Sequence, residues 1–238
     1  MDKGTEDILR RRMHGLYLSR SCWDIGELAG ELLGLHCWFH RNVAFSALIR
    51  GCGLTGWKNA LTKTWLYRGT LHGAVYEDLP LLLALHADAA PWSWFGLPEE
   101  EVEEVARRVL YLMEDGVNSR SEMRKIFADS YDAETVGRLF SSWGGIFVYL
   151  ARRGKVAFRS MVSRDFDLIG AEPVLSPAEA LEELLPRFFE AYGPASPEDA
   201  AWFFGVDKAV VRQAKALEGL EWLERGRERL YYVPKGDM

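Results

Sequence analysis

A chain of 238 residues with 48% hydrophobic side chains can bury a substantial core, as one large domain or as two to three small ones. Its net charge of −6 argues against strong nonspecific polyanion binding, and its three cysteines are too few for a disulfide framework or a zinc knuckle. The most apolar run, Leu79 to Leu85, is much too short to span a bilayer, so no membrane segment is expected.

The opening Met1-Asp2-Lys3-Gly4-Thr5-Glu6-Asp7 is polar and acidic, unlike a signal peptide. A cytosolic protein is expected, with Cys22, Cys37 and Cys52 as reduced core thiols. Asp24 to Leu35 has the apolar spacing of a helix, with Ile25, Leu28, Leu32 and Leu35 on one side. It runs into Gly34-Leu35-His36-Cys37-Trp38-Phe39-His40-Arg41-Asn42, where two aromatics, two histidines and an arginine crowd together. Such a cluster can stack on a base and donate to phosphate. Equally, Trp38 and Phe39 can be core and His36 can bond a backbone carbonyl. Thr64 to His72 then reads as strand, glycine-relieved turn and polar end. The three cysteines are too widely spaced for a zinc knuckle.

Two acidic runs come next, around Glu99 to Glu104 and Glu179 to Glu183, and both suit the first turns of helices. They hold much of the negative charge. Residues 1–80 carry 10 basic and 8 acidic side chains and residues 116–170 carry 9 and 6, so a basic groove is compatible with the overall balance.

Gly116 to Phe127 and Gly193 to Phe204 share the pattern Gly-x-x-Ser-x-x-acid-x-x-x-x-Phe, offset by 77 residues. In each, the serine can cap a helix and the acid can reach back to the cap. Each comes after an amphipathic helix and a glycine turn, which is how a helix-turn-helix begins. An ordinary helical hairpin used twice for packing has the same spacing. After the first copy come a helix through Phe147-Val148-Tyr149-Leu150, then Arg152-Arg153-Gly154 and the alternating Lys155 to Arg159, expected as a basic-tipped wing. After the second, Val206 to Leu217 reads as a recognition helix carrying Lys208, Arg212 and Lys215. Leu220 to Leu223 and Arg229 to Val233 then flank a turn with Arg225 and Arg227, a hairpin.

The run Trp65-Leu66-Tyr67-Arg68-Gly69-Thr70-Leu71-His72 with Glu77-Asp78, the segment Trp143-Gly144-Gly145-Ile146 through Arg153-Gly154, and Tyr192-Gly193-Pro194-Ala195-Ser196-Pro197-Glu198-Asp199 with Trp202 and Gly205 resemble the winged-helix proteins related to the AlkZ and YcaQ DNA glycosylases. The resemblance implies a mainly α fold with small β-hairpins (α+β), tandem winged helices around a DNA channel, and removal of alkylated or crosslinked bases without a cofactor. On that basis three modules are expected, at 1–95, 96–170 and 171–238. Where the glycosylases carry Gln-x-Gln or Gln-x-Asp, this chain reads His36-Cys37-Trp38. Indole cannot accept a hydrogen bond, whereas neutral imidazole can take a proton from water.

Two readings result. In the enzyme, His36 and Glu31 serve water, Trp38 stacks on the base, and Arg41, Arg68, His72, Arg152, Arg153, Lys208, Arg212, Arg225 and Arg227 contact double-stranded DNA. Such a glycosylase works as a monomer. In the alternative, a non-catalytic DNA-binding protein or transcriptional regulator, Trp38 fills the former active site.

Overall fold

Side chains that cap helices and glycines that reverse the chain fix most of the local boundaries. The computed structural model describes residues 3–86 and 95–234. Helix α1 (Lys3–Gly15) leads to α2 (Ile25–Glu31), which Asp24 begins by accepting from the Glu27 N–H at 2.9 Å. The helix is shorter than the periodicity of Asp24 to Leu35 suggests. Leu33 (φ +57°) and Gly34 (φ +101°) turn the backbone left-handed, and the Gly34 N–H closes on the Ala29 carbonyl at 2.7 Å. Leu35 therefore enters strand β1 (Leu35–His36), and α3 (His40–Leu48) comes after it.

The α2–α3 region also corrects the expectation for the cysteines. Chain reversal brings Cys22 and Cys52 together with Cα atoms 5.2 Å apart, and they form a disulfide, whereas Cys37 is free and buried. Spacing in sequence gives no hint of a pair 30 residues apart.

Strands β2 (Thr62–Trp65) and β3 (Leu71–Ala74) form a hairpin through a 3₁₀ turn at Tyr67–Gly69, and a short helix α4 (Leu79–Ala84) succeeds it. Among the described residues four helices come next: α5 (Glu99–Glu114), α6 (Arg120–Phe127), α7 (Ala133–Leu139) and α8 (Ile146–Arg152). Then β4 (Val156–Phe158) and β5 (Phe166–Leu168) pair antiparallel. This second hairpin is not free. β4 pairs with β2 at Lys63 and Phe158, giving one five-stranded antiparallel sheet in the order β1-β3-β2-β4-β5.

The remainder repeats the order of helices and hairpin. α9 (Pro177–Tyr192) starts on a Ser176/Glu179 capping box, α10 (Pro197–Phe204) on a Ser196/Asp199 box, and α11 (Lys208–Arg212) on Asp207. Strands β6 (Glu221–Arg225) and β7 (Glu228–Tyr232) form a separate two-stranded sheet. The recognition helix expected over Val206 to Leu217 is thus only Lys208–Arg212. The Glu182 carboxylate on α9 accepts the N–H groups of Lys215 and Ala216 at 2.9 and 2.6 Å, and this cap begins a separate 3₁₀ turn at Lys215–Gly219.

Among the described residues three apolar cores lie beneath these elements. One gathers Tyr17, Leu28, Leu35, Val43 and the cysteines; a second gathers Val105, Phe127, Phe140, Phe147 and Phe166 with Trp65; the third gathers Tyr67, Leu83, Leu184, Phe188 and Phe204. Trp65 and Tyr67 are two residues apart and enter different cores, so the β2–β3 hairpin ties two of them together. A bidentate Arg187–Asp78 pair at 2.9 and 3.0 Å, with Arg187 also donating to the Gly30 carbonyl at 3.0 Å, clamps α9 against the first part of the chain.

Candidate nucleic-acid interface

Strand alternation sets the geometry around the singled-out motif. Cys37 points inward, where burial pushes its thiol up to about 12, while His36 and Trp38 on either side are exposed. Trp38 is therefore not core, and Phe39 is likewise exposed. β1 pairs with β3 so that His36 lies opposite His72, with the rings edge to face at 5.7 Å. His72 is only 6% exposed, so the phosphate contact expected of it does not fit its place. Burial lowers its pKa to about 4, and its Nδ1–H donates to the Thr70 carbonyl at 3.0 Å. It is a neutral support behind His36.

The other expected residues scatter. Glu31 ends α2, and its charge acts on Tyr17 and Arg187. Arg41 is exposed at the start of α3. Arg68, at φ +52°, lays its guanidinium 3.8 Å over the exposed Trp202 ring. Lys208 and Arg212 are exposed on α11, and Arg212 pairs with Glu198. Arg225 and Arg227 are exposed around the β6–β7 turn, where a hairpin tip was expected.

Arg152 and Arg153 are different. They end α8, at the base of the β4–β5 hairpin rather than its tip, which is residues 159–165. The Arg152 pKa is lowered by burial, and Arg153 stacks 3.6 Å over the Tyr149 ring. The wing-tip expectation fails because these residues close α8 ahead of β4, whereas the hairpin reverses between β4 and β5.

Beside Trp38 the structure shows a group that the sequence reading missed. Trp143 approaches Trp38 at 5.3 Å, and the two border a cavity of about 360 Å³ with Lys63, Arg120, Ser142 and Arg164. Arg120 comes directly after the cap Ser119 in the first repeat copy, where the second copy has Pro197. That unlike position was the available signal.

The profile of the DNA glycosylase AlkZ-like family matches residues 58–237. The chain belongs to this family. An interstrand DNA cross-link repair glycosylase of Streptomyces sahachiroi is 30% identical over 156 residues, covering 58% of this chain and 42% of that relative. The chain thus matches less than half the length of the relative. The structure of Streptomyces sahachiroi DNA glycosylase AlkZ is similar with a TM-score of 0.74 at 24% identity, over 98% of this chain and 70% of that one.

These comparisons establish an AlkZ-like fold of helices and small antiparallel sheets. The matched segment begins at Lys58, just ahead of β2 and beyond Glu31, His36 and Trp38. In this AlkZ-like chain the β1 edge is brought to the matched part by its pairing with β3. Among the described residues no helix is long and apolar enough to cross a membrane, and no group of three or more His, Cys, Asp or Glu side chains is placed to hold a metal ion.

Proposed function

We propose that this chain binds double-stranded DNA bearing an alkylated or crosslinked base, acts as a monomer built of three winged-helix modules, and hydrolyses the bond between that base and its sugar. The supporting observation is the exposed His36 on an edge strand, backed by the neutral His72 and flanked by the exposed Trp38, in a chain of the AlkZ-like family.

The chemistry asks little of the protein as an acid. A base alkylated on a ring nitrogen already carries positive charge and leaves neutral, so the difficult part is water attack on an oxocarbenium-like sugar. His36 in its neutral form accepts the proton of that water. Trp38 supplies an aromatic face for an unstacked base. Arg41, Arg68, Lys208, Arg225 and Arg227 contact phosphates from exposed positions, and Arg212 does so in competition with Glu198. Glu31 is left out of the water site, since the groups that feel its charge are Tyr17 and Arg187.

The test is incubation with alkylated and crosslinked duplex, then detection of released base and abasic sites. His36→Ala is expected to cut release by about 10²-fold or more while duplex affinity changes little, and Glu31→Gln is expected to leave release unchanged. Absence of release by the wild-type chain from every such duplex would overturn the catalytic reading and leave the non-catalytic DNA-binding one standing.

A further inference from the structure

The cavity between Trp38 and Trp143 has an unusual charge balance for a partly enclosed space. Its lining includes three cations, Lys63, Arg120 and Arg164, and two serine hydroxyls, Ser142 and Ser163, but no carboxylate. Arg120 is largely covered, with its guanidinium 5.6 and 5.5 Å from the Phe147 and Phe166 rings. Its Nε is buried without a hydrogen-bond partner, and its Nη1 reaches the Ser142 carbonyl only at 3.5 Å. Lys63 packs over the Phe158 ring at 4.3 Å, and its Nζ reaches the Met161 carbonyl at 3.4 Å. Burial lowers the pKa of both groups, and Arg164 lowers that of Lys63 further. Partly desolvated cations without a counter-charge are costly, and an arriving anion relieves that cost.

The walls have a second requirement. Trp38 and Trp143 are 40% and 69% exposed, pack on each other with rings tilted 36° apart, and together give the cavity an aromatic border. Trp65, Leu71 and Phe158 complete an apolar side. At about 360 Å³ the space lies at the lower end of the range for small-ligand sites, roughly 300–1,000 Å³. An anion joined to a flat aromatic ring meets both requirements at once.

We propose that this cavity is a nucleotide pocket, which takes one unstacked base against Trp38 and Trp143 and its phosphate on Arg120, Lys63 and Arg164. The proposal rests on the DNA-binding reading above for its biological source, a nucleotide of a bound strand, but the pocket itself is defined by its own chemistry. Two serines beside the cations supply further donors to the phosphate.

Titration of the full chain with deoxyadenosine monophosphate, monitored by calorimetry and by two-dimensional NMR of the indole N–H signals, tests it. The monophosphate is expected to bind and to shift the Trp38 and Trp143 signals, while deoxyadenosine and inorganic phosphate each bind roughly tenfold or more weakly. Trp143→Ala and Arg120→Gln should each weaken the monophosphate roughly tenfold. Trp143 is exposed and can be truncated safely; if Arg120→Gln does not fold, Lys63→Gln takes its place. No binding of the monophosphate, or binding indifferent to these variants, overturns the pocket. Duplex binding measured in parallel separates the two claims. A chain that binds duplex but not monophosphate retains the DNA reading and loses the pocket, and the opposite outcome retains the pocket and loses the DNA reading.

Discussion

The middle and final thirds of the chain run through the same order of elements and put them to different uses. α5, α6, α7 and α8 precede the β4–β5 hairpin, while α9, α10, α11 and the 3₁₀ turn at Lys215–Gly219 precede β6–β7. Both α6 and α10 begin on a serine whose side chain accepts an N–H three residues on, and both end on a fully buried phenylalanine, Phe127 or Phe204. The two hairpins then diverge. β4 pairs with β2 and disappears into the five-stranded sheet, while β6–β7 stays two-stranded, tied to the chain before α10 by a single bridge between Tyr231 and Ala195, and keeps its arginines in solvent. A twelve-residue motif therefore specifies a cap and a packing anchor, and a pairing almost a hundred residues away in sequence decides whether its hairpin joins the larger sheet.

The strongest way to break the equivalence is to remove the shared anchor. Phe127 belongs to the core containing Trp65, Phe140 and Phe166, and Phe204 to the one containing Tyr67, Phe188 and Leu83. Phe127→Ala and Phe204→Ala are each expected to cost about 3–5 kcal/mol by urea unfolding. If one is nearly neutral, the two copies do not serve the same structural purpose.

A second effect separates the shared sheet from the free hairpin by pH. His72 lies in β3, and burial depresses its pKa from 6.5 to about 4. Between these values the unfolded chain binds the proton and the folded chain does not. The contribution is thus complete above pH 6.5 and is lost as pH falls toward about 4, where it levels off. Its upper bound is about 3 kcal/mol. Thermal unfolding of wild type and His72→Gln across this window should show a steeper acid loss in the wild type, and parallel curves would contradict the assignment.

Local signals in the sequence carried the caps at Ser119 and Ser196, helix α8 and the β6–β7 hairpin, because each depends on residues within a few positions of one another. Features made by tertiary contact were not legible. Glu182 shortens the expected recognition helix from another helix, β2 captures β4 and so draws the second hairpin into a larger sheet, and chain reversal joins Cys22 to Cys52. The same holds for the site. His36 and Trp38 stood out as a cluster of chemically able residues, but Lys63, Arg120, Trp143 and Arg164 meet only after folding.

The two sets of arginines give a third comparison, in binding rather than stability. Replacing Arg225 and Arg227 by Ala is expected to weaken duplex binding by roughly tenfold and to reduce the salt slope by about 1.8, the value for two phosphate contacts. Arg152→Ala with Arg153→Ala should change the slope much less, since one is partly buried and the other is stacked on Tyr149. Salt-dependent fluorescence anisotropy reads both. Equal slopes for the two double variants would show that the free hairpin has no special part in DNA contact.

The smallest expected difference lies in the caps themselves. Ser196 Oγ accepts the Asp199 N–H at 3.1 Å, and the Asp199 carboxylate in return accepts the Ser196 N–H at 2.9 Å. Ser119 Oγ accepts the Glu122 N–H at 3.2 Å, but the Glu122 carboxylate takes the Ser119 hydroxyl at 2.7 Å rather than the backbone N–H of the cap. Serine to alanine should cost about 1 kcal/mol at either site, because each loses the same side-chain acceptor. The acids should differ. Asp199→Ala strips a backbone donor of its partner at a helix start, whereas Glu122→Ala frees only a hydroxyl that water can satisfy. The former is thus expected to be the more destabilising by about 0.5 kcal/mol, measured by urea unfolding of the four single variants. Equal losses for the two acids would mean that the reciprocal bond at Ser196 adds nothing beyond the cap, and that the two copies are energetically alike despite their different geometry.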